Sequence, residues 1–378
     1  MEPEDKHKIS IDTGNLEGII DLNPLHPDTS RKMLGCYKEP TGNNIKSLQV
    51  LEENAQHLTA KIYNSNLDSK CTWRFYHSMF IPSIMYSFPV NSIKSKDLDR
   101  IQNKSAKLFL PKLGYNRNTA KAIVYGPKKL GGIDLRIFRH EQGLSKIEHF
   151  TKHWRNPFTE AGNHVRIALH WIQYCAGTST PILQDQTHTL NYVESIWFSD
   201  LRKFLAETKI EIELDDPGII PTQRVNDRHI MDLALSSNKF SNADLKRINY
   251  CRLYLQAHTL SDIATADGKY VCTNHFLGIR ERYCSFNEDA IQQCKPECST
   301  TWNVWRKLCR TLCSNKKSLK LTTQLGKWLI HPNKLRRRWP LYSPSEDKLY
   351  IKTTKGWATC DKLPLPYRFD AKISQLEE

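Results

Sequence analysis

The sequence predicts a mainly α fold with minor β: a helical bundle, then a mostly helical extension that ends in a β-hairpin. Three observations carry that expectation. Apolar residues recur at steps of three and four over several long segments, the period of helices with one buried face. Clusters of glycine and proline separate those segments. Near the C-terminus, LYIKTTKGWATC alternates about Lys355-Gly356, the period-two pattern of two paired strands.

Taken in order, residues 1–30 show no sustained periodicity and are punctuated by Asn23, Pro24, Pro27 and Asp28, which reads as a polar linker. Ile45, Leu48, Leu51, Ala55, Leu58 and Ile62 then mark one face of a helix, with Asn43 or Asn44 as its N-cap. Trp73, Tyr76, Phe80 and Ile84 keep the same period until Pro89. Leu98, Ile101, Leu108 and Phe109 mark a third helix, ended by Pro111. Short connectors between the three predict a small bundle. Residues 110–136, LPKLGYNRNTAKAIVYGPKKLGGIDLR, are broken by Gly114, Gly126, Pro127, Gly131 and Gly132 into tight turns around short ordered pieces. Helical pattern resumes through Leu135, Phe138 and Gln142 to Phe150. Further on, Val165 to Tyr174, Val193 to Leu205 and Leu245 to Leu255 read as helices, with Pro217 to Pro221 as a boundary between subdomains.

A chain of 378 residues has room for two or three domains. Its 39% apolar share, with nine Trp, fifteen Tyr and thirteen Phe, supplies ample material for a core. The longest apolar stretch, around Met79 to Val90, is interrupted by Pro82 and Pro89, so no membrane span is expected. The acidic, polar N-terminus carries no secretory signal, which predicts a location inside the cell, in nucleus or cytoplasm. Eleven scattered cysteines in that setting fit reduced thiols rather than a disulfide framework.

Charge is the first functional clue. Fifty-five Lys and Arg against forty Asp and Glu leave +15. The first 28 residues hold seven acids and two lysines, so the remainder carries about +20, and a body this basic favours a polyanionic partner.

Two stretches concentrate that charge. Residues 299–340 contain Arg306, Lys307, Arg310, Lys316, Lys317, Lys320, Lys327, Lys334, Arg336, Arg337 and Arg338, and no Asp or Glu. Trp302, Trp305, Trp328 and Trp339 stand among them. Phosphates need cations and unstacked bases need flat side chains, so this mixture suits single strands or helix backbones. The alternative is a solvated helix face with tryptophans in the core. KLRRRW, residues 334–339, is also the composition of a nuclear localisation signal. The second group is Lys112, Arg117, Lys121, Lys128 and Lys129, in the glycine-punctuated segment. Glycine lets backbone approach a phosphate, which these cations would neutralise; the alternative is turn glycines with surface lysines. No GxxxxGK[ST] or GxGxxG motif accompanies them.

Metal and catalytic patterns are sparse. Cys294, Cys298, Cys309 and Cys313 supply four soft ligands in a C-x3-C, C-x3-C spacing, which zinc could use. Against it, Cys309 and Cys313 fall in a Trp-rich helical pattern where such a pair packs on one face. Asp215-Asp216 is the sole adjacent pair of aspartates, and Pro217-Gly218 follows at once, as in a turn. Asp267-Gly268 faintly resembles the first strand of a ribonuclease-H-type site but also reads as a turn. No G-x-S-x-G or H-E-x-x-H motif is present. No cofactor is expected.

MLGCYKEPTGNN and LPKLGYNRNTAKAIVYGPKKLGGIDLRIFRHEQG, at residues 33–44 and 110–143, are similar to the region after the palm in reverse transcriptases of non-LTR retrotransposons. The resemblance implies that the Leu34-Gly35 turn closes a palm and that a helical thumb follows. Residues 45–63 and CTWRFYHSMFIPSIMYSFPV look like its first helices, with Pro82 and Tyr86 similar to a Pro-x-x-x-Tyr pattern. LYLQAHTLSDIATADGK and LYIKTTKGWATC are similar to C-terminal extensions of some branches. The chain departs from the family in lacking an aromatic-x-Asp-Asp palm motif before Leu34.

The resemblance thus implies a division into residues 1–30 (linker or palm remnant), 31–155 (thumb-like domain), 156–220 (helical connector) and 221–378 (basic extension). It also implies a truncated, non-catalytic fragment that grips RNA or an RNA–DNA hybrid, with a separate palm-containing polypeptide as a partner. A metal-dependent nuclease in the C-terminal half, and an inert relic or interaction module, are the alternatives.

Overall fold

The computed structural model describes residues 26, 28–265, 267–280 and 294–327, and the backbone of strand residues 9–12, 19–22, 340–343, 348–353, 356–360 and 374–375. The chain is mainly α with minor β, and its contacts divide it into two units. The first comprises Met1–Gly162 and Ile196–Thr208; the second comprises Asn163–Ser195 and Lys209–Glu378. This division cuts across the segment 156–220, whose residues 196–208 belong to the first unit and whose remainder belongs mostly to the second. The prolines 217–221 lie inside the second unit.

In the first unit, strands β1 (Ile9–Asp12) and β2 (Ile19–Leu22) pair antiparallel, as do β3 (Arg31–Met33) and β4 (Cys36–Lys38). The β3–β4 turn is Leu34-Gly35, both with positive φ (47° and 85°), the conformation that glycine adopts without steric cost. Tyr86 Oη donates to the Leu34 carbonyl at 2.6 Å, so the Leu-Gly turn and the Pro-x-x-x-Tyr segment are joined directly.

Helix α1 (Ile45–Tyr63) buries Leu51, Ala55 and Ile62, as its periodicity predicts. Its N-cap is Asn44, but Asn44 makes no side-chain cap; instead Asn43 Oδ1 accepts from the Ile45 N–H at 3.1 Å. The second apolar run is one helical rod in three parts: α2 (Ser69–Phe75), a π-helical turn (Tyr76–Phe80) and α3 (Ile81–Met85). Pro82 accounts for the interruption, because it has no N–H to continue an i→i−4 ladder. Helix α4 (Ser95–Lys112) carries Pro111 within its last turn and runs one residue beyond it. Tyr76, Phe80, Phe109 and Phe138 form a chain of ring contacts, with centroids 4.9–6.2 Å apart, at the centre of the core. Helix α5 (Lys121–Tyr125) and a 3₁₀ turn (Lys128–Leu130) precede α6 (Phe138–Trp154).

Helix α7 (Glu160–Ala176) starts at the boundary between the units, and α8 (Ile196–Thr208) returns to pack on α6. Gly143 of α6 makes the close approach possible: a Cβ there would lie 2.3 Å from the Phe204 ring. Beneath it, Arg139 and Lys146 of α6 pair with Asp200 of α8, and Trp197 donates to the Pro89 carbonyl at 2.8 Å.

The second unit contains α9 (Ile230–Ser236), α10 (Asn242–Leu255), α11 (Leu260–Ile263), α12 (Thr273–Leu277) and α13 (Ser299–Thr311). Helix α10 opens with a capping box between Ser241 and Asp244. Arg252, wholly buried, donates to the carbonyls of Tyr174 (2.9 Å) and Cys175 (2.5 Å), closing the C-terminal end of α7 with a cation. Strands β5 (Cys313–Asn315) and β6 (Lys320–Leu321) form a small hairpin. The terminal sheet has the order β10-β7-β8-β9 for β7 (Pro340–Ser343), β8 (Lys348–Thr353), β9 (Gly356–Cys360) and β10 (Ser374–Gln375). The hairpin expected there is β8–β9, in register from Leu349↔Cys360 to Thr353↔Gly356.

Candidate nucleic-acid interface

Five of the cations singled out in the sequence lie in the first unit, and they do not act alike. Lys112 is half-buried and donates to the Ser65 carbonyl at 2.5 Å. Arg117 donates to the Tyr63 hydroxyl at 3.0 Å, so both tie the glycine-rich segment to the C-terminal end of α1. Lys128 places its ammonium 3.6 Å above the Trp73 ring, a cation–π contact that pins the 3₁₀ turn. Lys121 and Lys129 are exposed and enter no ion pair among the described residues. Of the five, the last two are open cations, Lys128 keeps an exposed side chain, and Lys112 and Arg117 serve the fold.

The same unit presents a cationic surface that sequence inspection passed over. Lys96, Arg100, Lys104 and Lys107 of α4 are all exposed, while Leu98, Ile101, Ser105 and Phe109 are buried. The steps of four, four and three put the cations on one face, along about 16 Å of helix. Arg100 and Lys104 both reach Glu52 of α1, at 3.3 and 3.1 Å, an exposed pairing worth little in water. Beside the stripe, a groove of about 230 Å³ lies between α1 and α4, with Ala55, Thr59, Ile101 and Ser105 in its lining. From Arg100 to Ile133 the sequence holds eight Lys and Arg and no Asp or Glu. In the sequence that run overlaps the apolar period of α4, whose charged positions also fit an ordinary solvated face.

In the second unit the remaining cations divide around α13. Trp305, Leu308 and Cys309 are buried, and the Trp305 Nε1–H donates to the His275 carbonyl at 2.9 Å. This tryptophan belongs to the core and cannot stack on a base. Trp302 meets the Tyr254 ring edge-on, with centroids 6.0 Å apart. Lys307 and Arg310 point outward on the opposite face, each about 5.4 Å from an aromatic ring, Phe240 and Phe276 respectively. Arg306 donates to Asn303 Oδ1 at 3.1 Å, and its Nε is buried without a partner among the described residues. Lys316 and Lys317 are exposed in the β5–β6 turn, and Lys320 is exposed on β6. Lys334, Arg336, Arg337, Arg338 and Trp339, together with Trp328, lie outside the described residues.

The four cysteines with zinc-like spacing do not gather. Cys309 and Cys313 are buried, with the Cys313 thiol donating to the Cys309 carbonyl at 3.1 Å. Burial pushes both thiols up, away from the thiolate form a metal needs. Cys298 is exposed at the start of α13, where its contact with Thr300 holds the thiol below its ordinary value. Among the described residues, no three His, Cys, Asp or Glu side chains form a metal-holding group. Asp267 sits in a tight turn, its Oδ1 accepting from Thr265 Oγ1 (2.6 Å) and the Lys269 N–H (3.0 Å), and these bonds hold its carboxyl below the usual range. Asp216 likewise accepts from the Gly218 N–H, and Asp215 faces Arg166 at 3.6 Å. Among the described residues, no helix is long and apolar enough to cross a membrane.

No protein-family model matches the chain, and no curated protein or solved structure is detectably similar to it.

Proposed function

We propose that this chain binds nucleic acid through the phosphate backbone, without regard to sequence and without chemistry of its own. The observation that carries the reading is the exposed stripe Lys96, Arg100, Lys104 and Lys107 on α4, continued in sequence by Lys121, Lys128 and Lys129. A rigid helix holding four cations on one face presents charge at fixed intervals, which suits a polyanion of regular spacing. The stripe contains no aromatic side chain, so it favours backbone contact over base stacking. Read with the resemblance in residues 33–44 and 110–143, the partner is RNA or an RNA–DNA hybrid, and the chain is the gripping part of a mobile-element reverse transcriptase. A separate palm-bearing polypeptide would then supply the polymerase carboxylates. The test is fluorescence anisotropy with an RNA–DNA hybrid and with single-stranded RNA across a salt series. A log–log slope of about −4 or steeper supports the reading, because each neutralised phosphate contributes roughly −0.7 to −0.9. Absence of binding at low salt overturns it.

A further inference from the structure

We propose that His149 and His153 of α6 form a two-imidazole site for a borderline divalent transition-metal ion such as Ni²⁺ or Zn²⁺. They stand four residues apart within α6, so both side chains project from one face, a turn apart. Their ring centroids are 4.6 Å apart with an interplanar angle of 68°. That spacing matches a shared ion. A ring nitrogen about 2.1 Å from the metal puts each centroid about 3.2 Å from it, so two rings at octahedral or tetrahedral angles lie about 4.5–5.2 Å apart. The helix fixes the spacing of the two side chains, and rotation of the rings about their side-chain bonds would turn a nitrogen of each toward the ion.

The surroundings permit occupancy. Both histidines are half-buried, which leaves solvent access, and no side-chain hydrogen bond among the described residues engages either ring. The neutral imidazole is the form that ligates, so uptake should fall as the solution is made acidic. Imidazole selects borderline transition ions over Mg²⁺ or Ca²⁺, which prefer oxygen. With two protein ligands, water or a phosphate oxygen completes the coordination sphere, so the site suits an exchangeable ion rather than a permanently held one. Neither histidine contributes to the cation stripe, and the inference stands whether or not the chain binds nucleic acid.

The experiment is titration of the full-length protein with Ni²⁺ alone, followed by calorimetry and by paramagnetic broadening of the histidine ring signals in NMR. The expected result is one ion per chain at this site, with the two rings broadened first. His149→Gln and His153→Gln should each weaken uptake by about tenfold or more. Both positions are half-exposed, and circular dichroism melting of each variant establishes that it is folded. The cysteines are identical in every sample, so nickel bound by thiols persists in the double variant and is subtracted. Equal uptake by wild type and double variant, or no broadening of these rings up to about 100 µM Ni²⁺, an affinity of about 5.5 kcal/mol, overturns the proposal.

Discussion

Lys146 is a fully buried ammonium, held by Asp200 at 2.5 Å and by Ser92 at 2.6 Å, and it links the stability of the first unit to pH. Burial pushes its pKa down to about 8, an effect that the Asp200 carboxylate opposes. The unfolded chain keeps that proton until about pH 10.5, so between these values the unfolded state binds more protons and stability rises with pH. That contribution is at most about 3 kcal/mol; because the buried thiols, raised by burial, pull stability the other way above about pH 9, it is read as the difference between wild type and Lys146→Met in urea unfolding at pH 7, 8, 9 and 10. Lys146→Met should abolish that rise while changing stability at pH 7 by no more than about 2 kcal/mol, since an apolar group replaces a buried ion and Asp200 keeps Arg139 at 2.9 Å. A rise that survives in the variant assigns the effect to other groups. Asp200→Ala is the harsher change, leaving two buried cations without their shared carboxylate, and should cost about 3–5 kcal/mol in the same assay.

Helix α8 binds to α6 through that polar cluster and through the contact of Phe204 with Gly143. A helix-interior Gly→Ala change normally stabilises by about 0.5–1 kcal/mol. Here the added Cβ meets the Phe204 ring, so Gly143→Ala should lower stability by about 1–3 kcal/mol, read as a fall in melting temperature. A neutral or stabilising outcome would show that α8 does not pack there. The assignment of 196–208 to the first unit was not legible in the sequence, because its apolar face says that it packs but not on which partner. Periodicity did reveal α1, α4 and α6 closely, since each has a buried apolar stripe, whereas α10 buries Asn249 and Arg252 beside its leucines. It also showed the run from Trp73 to Ile84 as one rod, but not its π-helical turn, because a one-residue change of register leaves the apolar spacing nearly intact. The lysines of the glycine-rich segment stood out in the sequence by charge alone. Charge could not reveal that Lys112 and Arg117 are occupied by Ser65 and Tyr63, two residues some fifty positions earlier. The hydrophobic pattern likewise hid the α4 stripe by explaining the same residues as an ordinary solvated face.

Across the whole molecule, residues 31–155 carry 22 Lys and Arg against 9 Asp and Glu, so a third of the chain holds most of its net charge. The second unit offers, near α13 and the β5–β6 turn, the exposed cations Lys307, Arg310, Lys316, Lys317 and Lys320. The two surfaces make different predictions for a polyanion. If α4 is the principal contact, replacing Lys96, Arg100, Lys104 and Lys107 by Gln removes four phosphate contacts and should make the salt slope shallower by about 3–4. These side chains are exposed and partnered only by Glu52, Asp97 or solvent among the described residues, so urea unfolding should show a stability change within about 1 kcal/mol. The matched control, Lys307, Arg310, Lys316 and Lys317 to Gln, removes the same charge from the other unit. Non-specific attraction by net charge alone would weaken binding equally in both variants, because each lowers the total by four. A large loss confined to the α4 variant instead requires a located surface, since phosphates held on one helix face gain nothing from charge carried elsewhere. Equal losses would sink the assignment to α4, and a loss confined to the control would move the interface to α13 and the β5–β6 turn.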